Sequence, residues 1–587
     1  MMGLLLSLQV ALLPAPVSVE SRDETSVVIV GPRLVGDDLV LIVAGTPGST
    51  ALIELSLSGG VCVGPACVGA VWGSSAATTT TAVGAPSTNA AVGSALDAGS
   101  PAWSPAAASR SESCVWEPYV WTQRIPATGR ARLRVRLPPD LATSAGLVRV
   151  RTFSSGSAPS SSYRMAGPIV LTAPTASFGA RFGFAIALGD FNGDTFTDIA
   201  IGANGEDVGG IPERGAAYVY WGPGFTAVTE LVPSGLTKTA WFGSALVATD
   251  IDNDGFDDVV VGAPLADFAG IVPESGAAYV FMGPDLDNPA QLPPLIPEAS
   301  AHFGGPIAAG DFNGDDYGDV AITSPLADAG SVVDAGIVTV FFGPSFTSYS
   351  RIQSPVPAQL AFFGSCLASG PLNGDTQDDL VIGSSSAQAG GVPDAGDAWA
   401  MLGPDFATVI HLANPDPESH ERYGRSCCVG DFDGNGAADV AMSAYLATVD
   451  PFPLAGEVWI HSGPDFSFVQ QLVQEVPQPH AQFGVSMAAA DLDADELSEL
   501  AIGIEFLDLA GGVLNAGAVA FYPGGAWEAT RLITESPPQG GAIFGFCVAL
   551  APRAAVLRAA GSISLAVGAM NADVDGIPDA GRVTLYP

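Results

Sequence analysis

Seven aromatic-glycine pairs run through this chain at an almost fixed interval: Phe182-Gly183, Phe242-Gly243, Phe303-Gly304, Phe363-Gly364, Tyr423-Gly424, Phe483-Gly484 and Phe544-Gly545. Successive pairs lie 60, 61, 60, 60, 60 and 61 residues apart. A period of this length marks a supersecondary unit too small to bury its own apolar face, so neighbouring copies must stack. Each copy reads alike. A short apolar strand such as Ala185–Leu188 leads into an acidic loop, Asp190 to Asp198. A second strand ends at Ile201-Gly202-Ala203, matched by Val261-Gly262-Ala263 and Val567-Gly568-Ala569. A Gly/Pro/Asp-rich loop follows, then a third strand such as Gly215–Tyr220 that stops at Gly222-Pro223, and a fourth near Val228–Val232. Four short strands per copy, repeated radially, predict an all-β chain with a seven-bladed β-propeller over residues 163–587.

The ring also has a way to close. The seventh copy reaches Pro587 with only three strands, and the missing piece stands ahead of the first copy as Gly167-Pro168-Ile169-Val170-Leu171. The expectation is that this strand completes the last blade and so protects the sheet edges.

Five copies place Asp, Asn or Glu at loop positions 1, 3, 5 and 9. They are Asp190, Asn192, Asp194 and Asp198; Asp250, Asp252, Asp254 and Asp258; and Asp311, Asn313, Asp315 and Asp319. The other two are Asp431, Asp433, Asn435 and Asp439, and Asp491, Asp493, Asp495 and Glu499. Alternation directs the oxygens of positions 1, 3 and 5 around one point, and the carbonyl at position 7 (Phe196, Phe256, Tyr317, Ala437 or Leu497) completes the set. Six or more hard oxygen donors in a flexible loop suit Ca²⁺ better than Mg²⁺ or Zn²⁺. At these four positions the five loops hold 17 carboxylates, too many to crowd into short turns without cations to neutralise them. Asp and Asn are common in ordinary turns, but not at the same four positions five times over. The fourth copy has Pro371 at position 1 and keeps Asn373, Asp375 and Asp379, which puts its site in doubt; the seventh has no Asp or Glu from Ala551 to Ser562, so no site is expected there.

Phe-Gly, the Asp-rich loop and the Gly-Ala-Pro-like turn together resemble FG-GAP repeats, as in the propeller of integrin α subunits. The resemblance covers about residues 165–587. It implies a seven-bladed propeller with mainly structural calcium in the loops between first and second strands, and with ligands meeting the opposite face. The other integrin parts, a membrane helix and a long series of downstream β domains, have no counterpart here.

Upstream, residues 1–21 contain a short apolar run (3–13) that fits a signal-peptide core in length, against the alternatives of a misplaced start or a first core strand. Apolar strands at Val27–Val30, Leu39–Val43, Ala51–Leu57, Arg130–Leu137 and Leu147–Phe153 suggest a small β-sandwich over 22–153. An Ala/Ser/Thr-rich stretch, 74–113, reads as a disordered insertion, and 154–162 as a linker. Arg130, Arg132, Arg134 and Arg136 share one strand face by period-two spacing, with Arg149 and Arg151 as possible companions; a solvated sheet face is favoured over an anion dock. Cys366, Cys427, Cys428 and Cys547 are expected to act as small buried apolar residues. Among Cys62, Cys67 and Cys114 one disulfide is expected if the chain is exported, and the lone C-x₄-C argues against zinc.

The formal net charge of −40, from 61 acids against 21 Lys and Arg, repels nucleic acid and anionic membranes and favours divalent cations. No stretch is long and apolar enough for a membrane helix. There is no G-x-S-x-G, no H-E-x-x-H and no phosphate loop followed by Lys, and the five histidines (His302, His411, His420, His461, His480) lack ligand spacing. The reading is a secreted or cell-surface binding module that takes a protein ligand, with a glycan-binding lectin as the alternative and a glycan-processing enzyme behind both. The residues just before each aromatic-Gly pair (Arg181, Trp241, His302, Phe362, Arg422, Gln482 and Ile543) lie on the face opposite the acidic loops. A lectin with repeated sugar sites should repeat its contacts. Their variety favours one composite protein-binding surface, with interblade packing wedges as the plain alternative.

Overall fold

The structure is a computed structural model. It describes residues 168–586 apart from 234, 237, 493–494, 526–530 and 552–562 (468 and 469 as backbone only), and before residue 168 only the backbone of nine strands. The chain divides into two units, the second containing Pro168–Pro587.

In the second unit every blade is a four-stranded antiparallel sheet. In the first blade Phe182–Gly189, Asp198–Ala203, Ala216–Tyr220 and Val228–Leu231 pair in that order, and the next five blades repeat the scheme. The seventh blade pairs Cys547–Leu550, Leu565–Ala569 and Arg582–Tyr586, then closes on Ile169–Leu171, with Val170 opposite Thr584. The strand ahead of the first repeat therefore completes the last blade, as expected.

The aromatic-glycine pair is the joint between blades. All seven aromatic rings are almost wholly buried and pack on their own blade's third strand, as Phe242 does on Tyr279 at a centroid distance of 5.8 Å. The glycine after the ring has φ near +90° and lies against the preceding blade. A Cβ on Gly243 would stand 2.4 Å from the Ala216 carbonyl oxygen, and one on Gly202 would stand 2.0 Å from the Gly243 carbonyl oxygen. Two glycines from adjacent blades thus let backbone meet backbone, which explains both the Phe-Gly and the Ile-Gly-Ala motifs. Second strands such as Asp198–Ala203 are buried along their whole length, because both faces pack on neighbouring blades.

Tyr423 is the exception among the seven rings. Its hydroxyl sits 2.6 Å from Nε2 of His461, which is buried on the third strand of the same blade. A phenol meets an imidazole where the other six blades bury a phenylalanine ring, so both polar atoms are satisfied.

The cysteine expectation is corrected here. Cys366 and Cys427 form a disulfide between the first strands of the fourth and fifth blades, with Cα atoms 6.0 Å apart; Cys428 is free and buried, and Cys547 is free and half-buried. Both bonded cysteines sit at the bulges that follow their aromatic-glycine pairs, where strand alternation is interrupted.

The N-terminal strands form two sheets. One orders Gln9–Val10, Val27–Ile29, Asp38–Ala44 and Arg130–Arg136; the other orders Thr81–Ala82, Tyr119–Arg124, Thr50–Leu57, Gly146–Phe153 and Ser162–Arg164. Arg149 and Arg151 are consequently in a different sheet from Arg130–Arg136 and do not extend that stripe. Within the 1–21 signal-peptide expectation only Gln9–Val10 is described, and within 74–113 only Thr81–Ala82; the rest of both segments, most of 154–162, and Cys62, Cys67 and Cys114 lie outside the described residues. Among the described residues no helix is long and apolar enough to cross a membrane.

Candidate metal centre

Each acidic loop leaves the first strand of its blade and returns into the second. Position 2 anchors it: Phe191, Ile251, Phe312 and Phe432 are buried, and their backbone N–H groups donate to Asp198, Asp258, Asp319 and Asp439 at 2.8–3.1 Å. The second oxygen of each position-9 carboxylate accepts the N–H of the glycine that ends the third strand (Gly222, Gly283, Gly343 or Gly463) at 2.7–2.8 Å. One buried carboxylate therefore ties three segments of the blade together. Burial pushes Asp198 and Asp319 up to about 7 and Asp258 and Asp439 to about 6, with the backbone N–H bonds pulling down and the neighbouring loop carboxylates pushing up. Such groups gain most from a nearby cation.

The outer turn is held by its own side chains. The position-1 carboxylate accepts the N–H at position 6, as Asp190 does from Thr195 and Asp250 from Gly255, both at 2.9 Å. Position 5 accepts the N–H at position 7: Phe196 to Asp194 at 2.9 Å, Phe256 to Asp254 at 3.0 Å, Tyr317 to Asp315 at 3.1 Å, Ala437 to Asn435 at 2.7 Å and Leu497 to Asp495 at 3.2 Å. Both carboxylate oxygens of Asp250, Asp311 and Asp431 accept loop N–H groups in this way, whereas Asp190 uses only one of its two for the loop. Asp250, Asp252 and Asp254 each bring a carboxylate oxygen within 4.8 Å of the others, as do Asp431, Asp433 and Asp439. Like charges this close raise one another: Asp252 is pushed up by burial first, then by Asp254 and Asp250.

Two atoms test the fit to a cation directly. Oδ1 of Asp190 (position 1) and Oδ1 of Asn313 (position 3) have no exposed surface and no hydrogen-bond partner. A buried oxygen without a donor is costly, and a hard cation meets that need where the surrounding donors are all oxygens. The residues therefore fit calcium. In the sixth blade Leu492 N–H donates to Glu499 at 2.6 Å, so Glu takes the position-9 role; Asp493 lies outside the described residues, as does most of the seventh-blade loop. The fourth-blade loop keeps the fold without Asp at position 1: Leu372 N–H reaches Asp379 at 2.8 Å and Gln377 N–H reaches Asp375 at 3.0 Å. Sequence reasoning missed position 8. Asp257 and Asp378 reach across to the preceding blade, and their only signal was a doubled Asp, Asp257-Asp258 and Asp378-Asp379.

A family model described as FG-GAP repeat matches residues 182–220, 242–281 and 303–341, the first three blades. The chain thus carries FG-GAP repeats within its propeller. Integrin alpha-PS5 of Drosophila melanogaster is 34% identical to this propeller chain over 164 residues, 26% of this chain and 16% of the relative. Phosphatidylinositol-glycan-specific phospholipase D of Bos taurus is 32% identical over 167 residues, 26% of this chain and 19% of the relative. The chain thus spans less than a fifth of the length of either, and one of the two is named for an enzyme activity. A solved structure, AofleA from Arthrobotrys oligospora, shares 9% identity and a TM-score of 0.34 over 63% of this chain and 90% of its own; a likeness that distant carries no argument about function.

Proposed function

We propose that this FG-GAP propeller is an extracellular calcium-binding interaction module that takes a protein ligand on the face opposite its acidic loops. Calcium is held by positions 1, 3, 5 and 9 and the position-7 carbonyl in blades one, two, three, five and six. The single observation that carries the metal reading is the pair of buried, unpartnered ligand oxygens on Asp190 and Asn313. The ion's part is to neutralise the loops and hold them in one shape, which stabilises the fold by mass action.

The binding face is argued from the other end of the first strands. Arg181, Trp241, His302, Phe362, Arg422, Gln482 and Ile543 all have positive φ, from 50° to 66°. The backbone N–H of Trp241 donates to the Glu213 carbonyl at 3.3 Å and that of His302 to the Glu274 carbonyl at 3.2 Å, in the loops of the preceding blades. Backbone this constrained presents side chains rigidly, which favours binding. Ile543 is buried and serves as a packing wedge, while the other six are half-buried. Those six do not form a repeated set, which supports a protein surface over repeated sugar sites. A binding module rather than an enzyme is supported by the histidines, which engage the blades: His411 with Asp397 at 2.6 Å, His420 with Asp394 at 3.4 Å and His461 with Tyr423.

Two measurements test the two halves. Thermal melts of the purified protein in calcium and in EGTA should give a higher midpoint with calcium; identical midpoints with no metal retained remove the metal reading. A glycan array probed in calcium and again in EGTA should be blank; reproducible calcium-dependent hits would make the propeller a lectin.

A further inference from the structure

The acidic loops are linked from blade to blade, and two of the links use a carboxylate. Asp257 and Asp378 stand at position 8, next to the position-9 Asp of their own loops. Successive side chains on extended backbone point to opposite sides, so these two face the preceding blade. Asp190 N–H donates to Asp257 Oδ2 at 2.8 Å, and Asp257 N–H donates back to the Asp190 carbonyl at 3.0 Å. Asp311 N–H donates to Asp378 Oδ2 at 3.0 Å, and Asp378 N–H to the Asp311 carbonyl at 2.9 Å. Both peptide groups of the position-1 residue are therefore gripped by the next blade.

Space is made for this grip. The residues before Asp190 and Asp311 are Gly189 and Gly310, where a Cβ would stand 2.9 and 2.5 Å from the Asp257 and Asp378 carboxylate oxygens. Between the second and third blades the sizes are reversed: Thr249 stands at the glycine position and Gly318 at the Asp position, leaving one backbone bond, Gly318 N–H to the Asp250 carbonyl at 3.0 Å. Between the fifth and sixth blades Ser498 takes the position and donates its N–H to the Asp431 carbonyl at 2.7 Å. The two clasped loops, in blades one and three, are also those that hold the buried, unpartnered oxygens of Asp190 and Asn313. The fourth-blade loop has lost its own position-1 ligand to Pro371 yet keeps Asp378.

We propose that Asp257 and Asp378 are positioning residues for the ion sites of the preceding blades, so that the fourth-blade loop serves the third blade's ion rather than one of its own. The inference rests on the calcium reading above. By fixing the peptide on either side of the first ligand, each clasp presents that carboxylate to the ion already oriented, and its own charge adds to the attraction. Partners that orient a metal ligand typically change affinity by about 10- to 100-fold.

Terbium separates this idea from the calcium reading. Among the described loops Tyr317 is the one tyrosine at position 7, beside the third-blade site, so terbium emission lost in Tyr317→Phe reports on that loop. In the full chain, Asp378→Ala should move the midpoint of the Tyr317-dependent signal about 10-fold toward higher terbium. Asp378→Asn, which keeps an acceptor oxygen, should return it to within about 3-fold of wild type, a smaller loss than the range for a removed partner. An unmoved midpoint in Asp378→Ala, or an Asn variant no better than Ala, overturns the clasp. If Asp378→Ala does not fold by circular dichroism, Asp378→Ser, with the residue the sixth blade uses there, is read in the same way. Absence of Tyr317-dependent emission in wild type strikes the calcium reading itself, before any Asp378 variant is made.

Discussion

Gly202 and Gly210 lie in the same blade, and their surroundings ask opposite things of them. At Gly202, on the second strand, the neighbouring blade's backbone occupies the place of a side chain, with the Gly243 carbonyl oxygen 2.0 Å from where a Cβ would be. Gly210, in the loop that follows, has φ +79° and open space around it. Between blades the backbone itself is the packing surface, so residue choice is narrow: the Gly202 position is glycine in five blades and Thr323 or Ser443 in the other two. In the loops the backbone is held by Asp side chains and side-chain choice is open. The seam carries the fold and the loops carry what differs between blades.

The sharpest way to break this contrast is to add one methyl group at each place. Gly202→Ala should lower stability by about 3 kcal/mol or more, because backbone on both sides must move. Gly210→Ala should cost only about 1 kcal/mol, the penalty of a left-handed alanine. Urea melts of the two variants measure the difference, and equal losses would end the distinction.

Next in size is the ion. Within the loops, Asp250→Ala should remove one site's share of the calcium-dependent stabilisation, about 2.7 kcal/mol when calcium is a hundred times the dissociation constant. Asn373→Ala in the fourth blade should leave that share intact. Melts of both variants across a calcium series would show whether the two loops differ as their position-1 residues suggest.

A buried acid sharpens the contrast on the opposite face. Glu206 stands where the second blade has Ala266, and Tyr218 donates to its carboxylate at 2.8 Å. Burial pushes it up to about 7, with the Tyr218 bond pulling down and Glu230 and Asp207 pushing up. A folded value above the ordinary one means that its contribution is fully present below about pH 4.5 and is lost as pH rises through about 7. Glu206→Gln should flatten that fall by something on the order of 2 kcal/mol, read as the difference between the pH–stability curves of variant and wild type.

The smallest effect is at the odd ring. Tyr423→Phe restores the hydrocarbon of the other blades but strands His461 Nε2, and should cost about 1 kcal/mol. A neutral or stabilising result would mean that the pair is dispensable.

Much of this architecture was legible in the residues, for a physical reason. The glycine of each aromatic-glycine pair recurs in all seven copies because the close contact between blades leaves no room for a side chain there, while the Gly202 position is glycine in five and Thr323 or Ser443 in the other two. The period therefore shows through every copy, and the strand at Ile169 was recognisable by the Gly-Pro before it. Cross-blade partners were not legible. Cys366 and Cys427 lie where a bulge resets the alternation of each strand, so neither side chain's direction follows from spacing alone. Asp257 and Asp378 occupy a position that is Thr197, Gly318, Ala438 and Ser498 elsewhere. A feature used at two of the six described junctions leaves no period to read. The acidic loops were legible in composition but not in bonding, since which oxygen is already spent on an N–H depends on the fold of the turn.

The closing strand also sets a schedule. Ile169–Leu171 waits for Arg582–Tyr586, made about 410 residues later. At ordinary synthesis rates of about 5–20 residues per second, that is on the order of 20–80 s with an unpaired edge. During that time the first blades can stack one on another, but the circle stays open to any foreign strand.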